Sequence, residues 1–270
     1  MSEPLFNRTN EVSRGGLLQK KVYFISDAHL GTPDYQSSLQ REKQIVKWLD
    51  CIKDEAEEIY LLGDIFDFWF EYKDVVPKGY IRLLGKLADL ADSGISIYYF
   101  TGNHDMWNKK YFQKELNLKV YKNPVEKYIG DKFFMIGHGD GLGPDDKTYK
   151  IMKKIFKNKF SYKVFSFFHP RIGISLARYF SRQSRNNNME DAFLGEDKER
   201  LVLYSKYKLT QKHYDFFVFG HRHLPLVIKV GKDSIYANTG DWINSFSYVV
   251  FDGKSIKVEY FTPKKEAVRV

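Results

Sequence analysis

The sequence predicts an α/β sandwich broken once by a helical insertion, and three observations carry that expectation. Short apolar or aromatic runs alternate with helix-period stretches early in the chain. Runs paired around glycine turns fill its last part, and one segment between the two holds the whole of the net charge. Alternating strand and helix patterns predict a largely parallel sheet with helices against it, and paired runs predict hairpins.

Residues 1–20 carry polar punctuation and the Gly15-Gly16 pair without periodicity, and read as a tail. Glu3, Arg8, Glu11 and Arg14 leave no room there for an apolar signal core, so no secretion signal is expected. Residues 21–26 (KVYFIS), 58–62 (EIYLL) and 96–100 (SIYYF) read as buried strands. Between them Ile45, Trp48, Leu49, Ile52 and Ala56 recur at helical spacing, as do Ile81, Leu84, Leu87 and Ala91, with Gly94 as a stop. Residues 125–129 and 132–137 flank Gly130-Asp131, a type I′ signal at which the sheet is expected to turn antiparallel. Residues 215–219, 225–230, 234–237, 247–251 and 255–260 are then expected to make a second sheet. The expected organisation is a core of residues 21–143 and 196–270 with an insertion at 144–195.

That insertion is where the charge sits. The 270 residues hold 43 Lys and Arg against 34 Asp and Glu, a net +9. From Pro144 to Met189 eleven basic residues meet only Asp145 and Asp146, so the rest of the chain balances. The same stretch carries Tyr149, Phe156, Phe160, Tyr162, Phe165, Phe167, Phe168, Tyr179 and Phe180. A surface both basic and aromatic suits an anionic partner with an apolar part, which a lipid headgroup region offers more fully than a nucleic acid. A helix pair with a solvated basic face and a buried aromatic face accounts for the same composition. One cysteine, Cys51, excludes an intrachain disulfide and a thiolate metal cage, and fits a reducing cytoplasm. No apolar run reaches the roughly 18 residues that a membrane span needs.

Five short motifs follow apolar runs: Asp27-Ala28-His29, Gly63-Asp64-Ile65-Phe66-Asp67, Gly102-Asn103-His104-Asp105, Gly137-His138-Gly139-Asp140 and Gly220-His221-Arg222-His223. Open α/β sheets place ligands at the carboxyl ends of their strands. Residues at i and i+2 of a strand share a face, so Asp27 with His29, and His221 with His223, are each expected to meet one cation. Singly, each motif is weak, because a lone histidine is more often a hydrogen-bonded loop residue. Together they gather five of the seven histidines at strand ends, where desolvating polar groups is costly unless they serve a purpose. Oxygen and imidazole donors without sulfur suit Mn²⁺, Fe or Zn²⁺ rather than Ca²⁺.

The series DAH, GDxxD, GNHD, GH and GHxH, running from Asp27 to His223, resembles the calcineurin-like metallophosphoesterase superfamily. The resemblance implies a four-layer α/β/β/α sandwich with two divalent metals. Asp27, His29 and His223 would hold one, Asn103, His138 and His221 the other, and Asp64 would bridge them. It also implies a water activated between the cations for in-line attack on phosphorus. The stretch HGDGLGPDDKTYK, with Asp146 and Tyr149, and the stretch ARYFSRQSRNNN, with Arg182, Ser184, Arg185 and Asn188, are similar to the UDP-2,3-diacylglucosamine hydrolases of lipid A synthesis. There a helical lid receives the acyl chains. That likeness implies a lipid-linked UDP-sugar as substrate, bound by Asn103, His104, Asp146, Tyr149, Arg182, Ser184, Arg185 and Asn188. It further implies Mn²⁺ as the metal, a monomer, and work at the cytoplasmic face of a Gram-negative inner membrane, with no nucleic-acid partner. His104 stands where the best-known branch carries arginine. It is the candidate proton donor or phosphate stabiliser, with Asp67 or Asp105 orienting its ring. Three alternatives stay open: a phosphoesterase for a soluble diester or nucleotide, a non-catalytic scaffold on the same fold, and a nucleic-acid binder using the basic segment.

Overall fold

Sheet packs on sheet at the centre of the molecule, with a helical layer outside each. The computed structural model describes residues 20–144, 147–173, 175 and 192–262. Strands β1 (Lys21–Ile25), β2 (Ala56–Leu61), β3 (Ser96–Phe100) and β4 (Lys119–Tyr121) run parallel, joined by helices α1 (Tyr35–Ile52), α2 (Ile81–Asp92) and α3 (Tyr111–Glu115). Strands β5 (Val125–Ile129), β6 (Lys132–Ile136), β7 (Phe216–Phe219), β8 (Leu226–Lys229) and β9 (Ile235–Asn238) make the second sheet, in the order β5-β6-β7-β9-β8. Helix α6 (Arg200–Leu209) covers its outer face. Helices α4 (Lys147–Lys157) and α5 (Lys159–Ser166) lie in the chain between β6 and α6.

The last hairpin corrects the expected grouping of strands. Strands β10 (Ser247–Phe251) and β11 (Ile256–Tyr260) join the first sheet, which reads β11-β10-β1-β2-β3-β4, with β10 antiparallel to β1. The alternation of β10 explains why it fits there. Val249 and Phe251 enter the inter-sheet core beside Phe24 and Phe134, while Val250 and Tyr248 face the helical side, where Tyr248 meets Trp48. Local alternation is satisfied in either sheet, and only the long-range pairing decides between them. The β5–β6 hairpin likewise opens the second sheet instead of extending the first. Its turn has Gly130 at φ +59 while Asp131 is not at positive φ, the pattern of a type II′ turn and not the expected I′.

Three apolar clusters fill the layers. Val22, Phe24, Tyr60, Phe100, Phe134, Ile136, Phe216 and Val218 lie between the sheets. Tyr23, Ile25, Ile45, Trp48, Leu49, Leu83 and Leu87 join the first sheet to α1 and α2. Met135, Leu201, Val202, Phe217 and Phe219 join the second sheet to α6. Full burial of a large apolar side chain contributes roughly 1.5–3 kcal/mol relative to exposure, so these layers set the positions of the strand ends.

Helix α1 departs from a purely apolar stripe. Ser38, Arg41 and Glu42 are buried on the same face as Ile45, Trp48 and Ile52. Ser38 Oγ accepts from the Gly31 amide at 2.7 Å, and Glu42 Oε1 accepts from the Arg82 and Leu83 amides at 2.8 and 3.1 Å. Glu42 thereby caps α2, whose N-cap residue, Tyr80, provides no side-chain cap.

Candidate metal centre

Each of the five motifs lies in a loop just beyond a strand, and the loops cross at one end of the sandwich. Asp27 and His29 follow β1, Asp64 follows β2, Asn103 and His104 follow β3, His138 follows β6, and His221 and His223 follow β7. The strand-alternation argument for the i, i+2 pairs does not hold, because the backbone has left the strand. Asp27, His29, Asp64, His221 and His223 all sit at positive φ, from +42 to +67. Each such residue costs on the order of 1–3 kcal/mol and persists only where its surroundings over-determine it.

Those surroundings are visible. The Asp27, His29 and Leu30 amides donate to the Gly63, Asp64 and Ile65 carbonyls at 3.1, 2.9 and 2.9 Å. Arg41, 6% exposed, reaches the same loop from α1 and donates to the carbonyls of Ala28, His29 and Thr32 at 2.9, 3.1 and 3.2 Å. The motif glycines allow the close approach: a Cβ on Gly102 would lie 2.1 Å from Asp64 Oδ1, and one on Gly220 2.7 Å from Asp27 Oδ2.

The loops bring together all seven residues expected to hold metal. Three overlapping triads, Asp27/His29/His223, His29/Asp64/His104 and Asp64/His138/His221, have ligand atoms within 4.8 Å of one another. Asn103 completes the last through Oδ1, 3.2 Å from His138 Nε2. Asp64 is shared: its Oδ1 accepts the His104 amide at 2.9 Å, and its Oδ2 lies 3.3 Å from His138 Nε2 and 3.9 Å from His29 Nε2. Asp27 Oδ2 accepts from Ser26 and from the His221 amide. Its Oδ1 is buried without a hydrogen-bond donor, 3.3 Å from His223 Nε2 and 3.7 Å from His29 Nε2. A buried acceptor left unpaired between two imidazoles fits a divalent cation, as does a donor set of oxygen and nitrogen alone.

Neighbours orient these donors. His138 Nδ1 lies 2.8 Å from the Leu62 carbonyl, to which it donates, and this turns Nε2 toward Asp64. His223 Nδ1 faces Asp241 Oδ2 at 3.5 Å, and Asp241 Oδ1 is held by the amides of Ile243, Asn244 and Ser245. Without a cation the groups polarise one another. Burial opposes charge on His138, yet Asp64 prevails and lifts it to about 10; burial and then His138 push His221 down to about 4. Burial likewise pushes His104 below its ordinary value.

His104 stands edge-on to His29, with ring centroids 4.7 Å apart, and its Nδ1 is 3.1 Å from the Asp67 carbonyl and 3.8 Å from Asp67 Oδ1. Of the two carboxylates expected to orient the ring, Asp67 is therefore the one beside it. Asp105, the alternative for orienting that ring or else a structural turn residue, is fully buried and engaged elsewhere: Oδ1 accepts from the Gly102 amide, and Oδ2 from the Ile65 amide and Tyr99. It ties the β2 and β3 loops together. Tyr149 donates to Asp140 Oδ2 at 2.8 Å, its ring 6.4 Å from that of His221. Asp146, Arg182, Ser184, Arg185 and Asn188 lie outside the described residues.

Arg41 and Asp241 escaped sequence reasoning, and Asp140 stood there only as the end of the Gly137-His138-Gly139-Asp140 motif, without a role. Arg41 falls on the helical stripe of Ile45 and Trp48, where a charged residue signals a buried partner. Gly240-Asp241 after the apolar run of β9 repeats the pattern of Gly63-Asp64.

Residues 20–225 match the family model described as calcineurin-like phosphoesterase. A UDP-2,3-diacylglucosamine hydrolase of Porphyromonas gingivalis is 35% identical over 256 residues, spanning 90% of this chain and 98% of its own length. One from Proteus mirabilis is 26% identical over 239 residues, 87% of this chain and 96% of its own. Among solved structures, the E. coli phosphoesterase Yfce superposes with a TM-score of 0.45 at 16% identity, over 89% of this chain and 92% of that one.

Proposed function

We propose that this chain, which belongs to the calcineurin-like phosphoesterase family of metal-dependent hydrolases, cleaves the pyrophosphate bond of UDP-2,3-diacylglucosamine to UMP and 2,3-diacylglucosamine 1-phosphate. The observation that carries the chemistry is the convergence of five loops, three of them with ligand-type residues at positive φ, on one buried oxygen and nitrogen cluster, with Asp27 Oδ1 lacking a donor. The substrate rests on the relatives' names and on the aromatic helices beside that cluster.

Two divalent cations, Mn²⁺ in this reading, would neutralise phosphoryl charge and lower the pKa of a bound water. Asp27, His29 and His223 would hold one and Asn103, His138 and His221 the other, with Asp64 between. His104 Nδ1 donates to the Asp67 carbonyl, which would turn Nε2 toward the reacting phosphate; burial favours the neutral ring, so the phosphate's negative charge would have to draw a proton onto Nε2 before the imidazolium passed it to the departing phosphate oxygen or stabilised its charge. Asp67 holds that ring; Asp105 fixes the loop that carries it.

Residues 144–195 act in this reading as a lid on the core of residues 21–143 and 196–270, with Asp146, Tyr149, Arg182, Ser184, Arg185 and Asn188 meeting the nucleotide and diphosphate. The lid helices rest on the loops after β2 and β3. Phe165 lies 4.6 Å from Trp107 and 4.8 Å from Phe70, and Tyr162 stacks on Phe70 at 4.7 Å between ring centroids. Phe160 and Phe167 are 72% and 82% exposed. Apolar walls next to a phosphate-handling centre suit a two-chain lipid phosphate presented at a cytoplasmic membrane face, and the enzyme would work there as a monomer. No helix among the described residues is long and apolar enough to cross a membrane.

The test is UMP release from UDP-2,3-diacylglucosamine with Mn²⁺ in mild detergent, beside an aryl phosphodiester and an Asp64→Ala control. Metal-dependent UMP release, faster than diester cleavage and lost in the control, is the expected result. Diester cleavage without UMP release would keep the site and remove the substrate.

A further inference from the structure

Arg222 stands between His221 and His223, and its side chain engages a different part of the molecule. The two histidines are at φ +67 and +56, and the Arg222 amide folds back to the Gly220 carbonyl at 2.8 Å. A residue between two neighbours held in the left-handed region cannot shift without carrying both imidazoles with it. Its guanidinium donates from Nε to Glu199 Oε2 at 3.1 Å, and from Nη2 to Glu199 Oε1 at 3.2 Å and to the Ala192 carbonyl at 2.7 Å. Glu199 is 4% exposed, and its Oε1 also accepts the Leu194 amide at 3.2 Å. One fork thus joins the loop after β7, the start of α6 and the last residues of the insertion.

Glu199 occupies the N-cap position of α6 without capping it by its side chain, a place where Ser, Asp or Asn would satisfy the helix better. Its length serves to reach Arg222 instead. A carboxylate and a guanidinium taken out of water often stabilise a fold no better than apolar residues of their size. What the pair contributes is direction, because two N–H···O bonds fix the arginine as one would not. Helix α6 is a firm base for it, since Leu201 and Val202 pack with Met135, Phe217 and Phe219.

We propose that Arg222, gripped by Glu199, is a positioning residue for the His221/His223 pair, and that through Ala192 and Leu194 the same grip makes the seating of the insertion's end and the setting of the two histidines one event. His221 belongs to one ligand triad and His223 to another, so a single arginine sets one donor toward each cation. The proposal rests on the two-cation reading above and not on the substrate.

Mn²⁺ calorimetry on the chelated chain tests it apart from any turnover. Arg222→Met and Glu199→Gln are each expected to weaken Mn²⁺ binding by about tenfold to a hundredfold, as loss of a group that orients a ligand does. The double variant is expected to lose no more than the larger single one. Arg222→Lys is expected to recover little, because an ammonium cannot repeat the fork. Lys206→Gln, which breaks the Lys206–Glu196 pair at 2.8 Å, is expected to change nothing. Coupling is reciprocal, so Mn²⁺ is expected to slow amide exchange at Leu194, Lys198 and Glu199 in the unaltered chain and to leave it unaffected in Arg222→Met. Glu199→Gln keeps the size and one acceptor, and carries the test if Arg222→Met does not fold. A lower Tm with unchanged Mn²⁺ affinity would make the pair a plain staple and overturn the proposal, as would additive losses or full recovery in Arg222→Lys. Exchange at those amides indifferent to Mn²⁺ in the unaltered chain would equally overturn it. An unaltered chain that binds no Mn²⁺ would bring down the two-cation reading itself, and the proposal with it.

Discussion

Asp64 is the side chain the centre can least lose, because it belongs to two of the three ligand triads and its other oxygen holds the His104 amide. Asp64→Asn keeps the shape and halves the donor capacity. We expect hydrolysis to fall by about three orders of magnitude or more, as removal of a group central to transition-state charge does, with bound metal reduced when measured by elemental analysis. His104→Gln separates chemistry from binding. A general acid or base contributes typically about 10²–10⁴ in rate, so kcat is expected to drop in that range while metal content stays; unchanged kcat would remove His104 from the reaction. Arg41→Met removes the guanidinium donor from three loop carbonyls, of which that of His29 keeps the Thr32 amide. Its expected cost is roughly 1–3 kcal/mol in denaturant unfolding, accompanied by weaker metal affinity in calorimetry, which a loss of packing alone would not produce. The candidate donors could be named from residue type and spacing. Their geometry was not legible there, since positive φ at Asp27, His29, His221 and His223 depends on hydrogen bonds to other loops and on Arg41 from α1.

The helices divide into braces and a platform. Helix α1 holds the first ligand loop through Arg41 and Ser38 and caps α2 through Glu42, all from one buried face. Glu42→Ala removes the cap on α2 and is expected to cost about 1 kcal/mol, read as a lower midpoint in urea. Helices α4 and α5 lean on the core through Phe70 and through Trp107, whose Nε1 donates to the Phe156 carbonyl at 2.9 Å and whose ring meets Phe165. Trp107→Ala is expected to raise amide exchange across residues 147–166 while β1 to β3 keep their protection. Uniform loss of protection would instead make α4 and α5 part of the core. A helix pair was legible here from the aromatic and basic spacing. Which face would look outward was not, because ordinary amphipathic logic buries the apolar side, whereas here the carbonyls of Lys122, Asp140 and Gly143 and the Asp140 carboxylate hold the lysines inward.

For the whole molecule, metal and stability are coupled. A cation that binds the folded chain and not the unfolded one adds about 2.7 kcal/mol at a hundredfold excess over its Kd. Chelation is therefore expected to lower Tm, and Mn²⁺ to restore it; a Tm indifferent to both would mean that the centre holds no metal in the folded protein. The sequence alone determined the layered α/β class, the order of the first strands and helices, the concentration of net charge in residues 144–189 and the inventory of metal-type donors, because each is written in local periodicity or residue chemistry. Tertiary structure alone decided that β10 and β11 join the first sheet, that Asp67 and not Asp105 stands beside His104, and that Arg41 and Asp241 support the candidate ligands. Those outcomes depend on pairings between residues far apart in the chain, and a local pattern that satisfies two partners equally well contains nothing to choose between them.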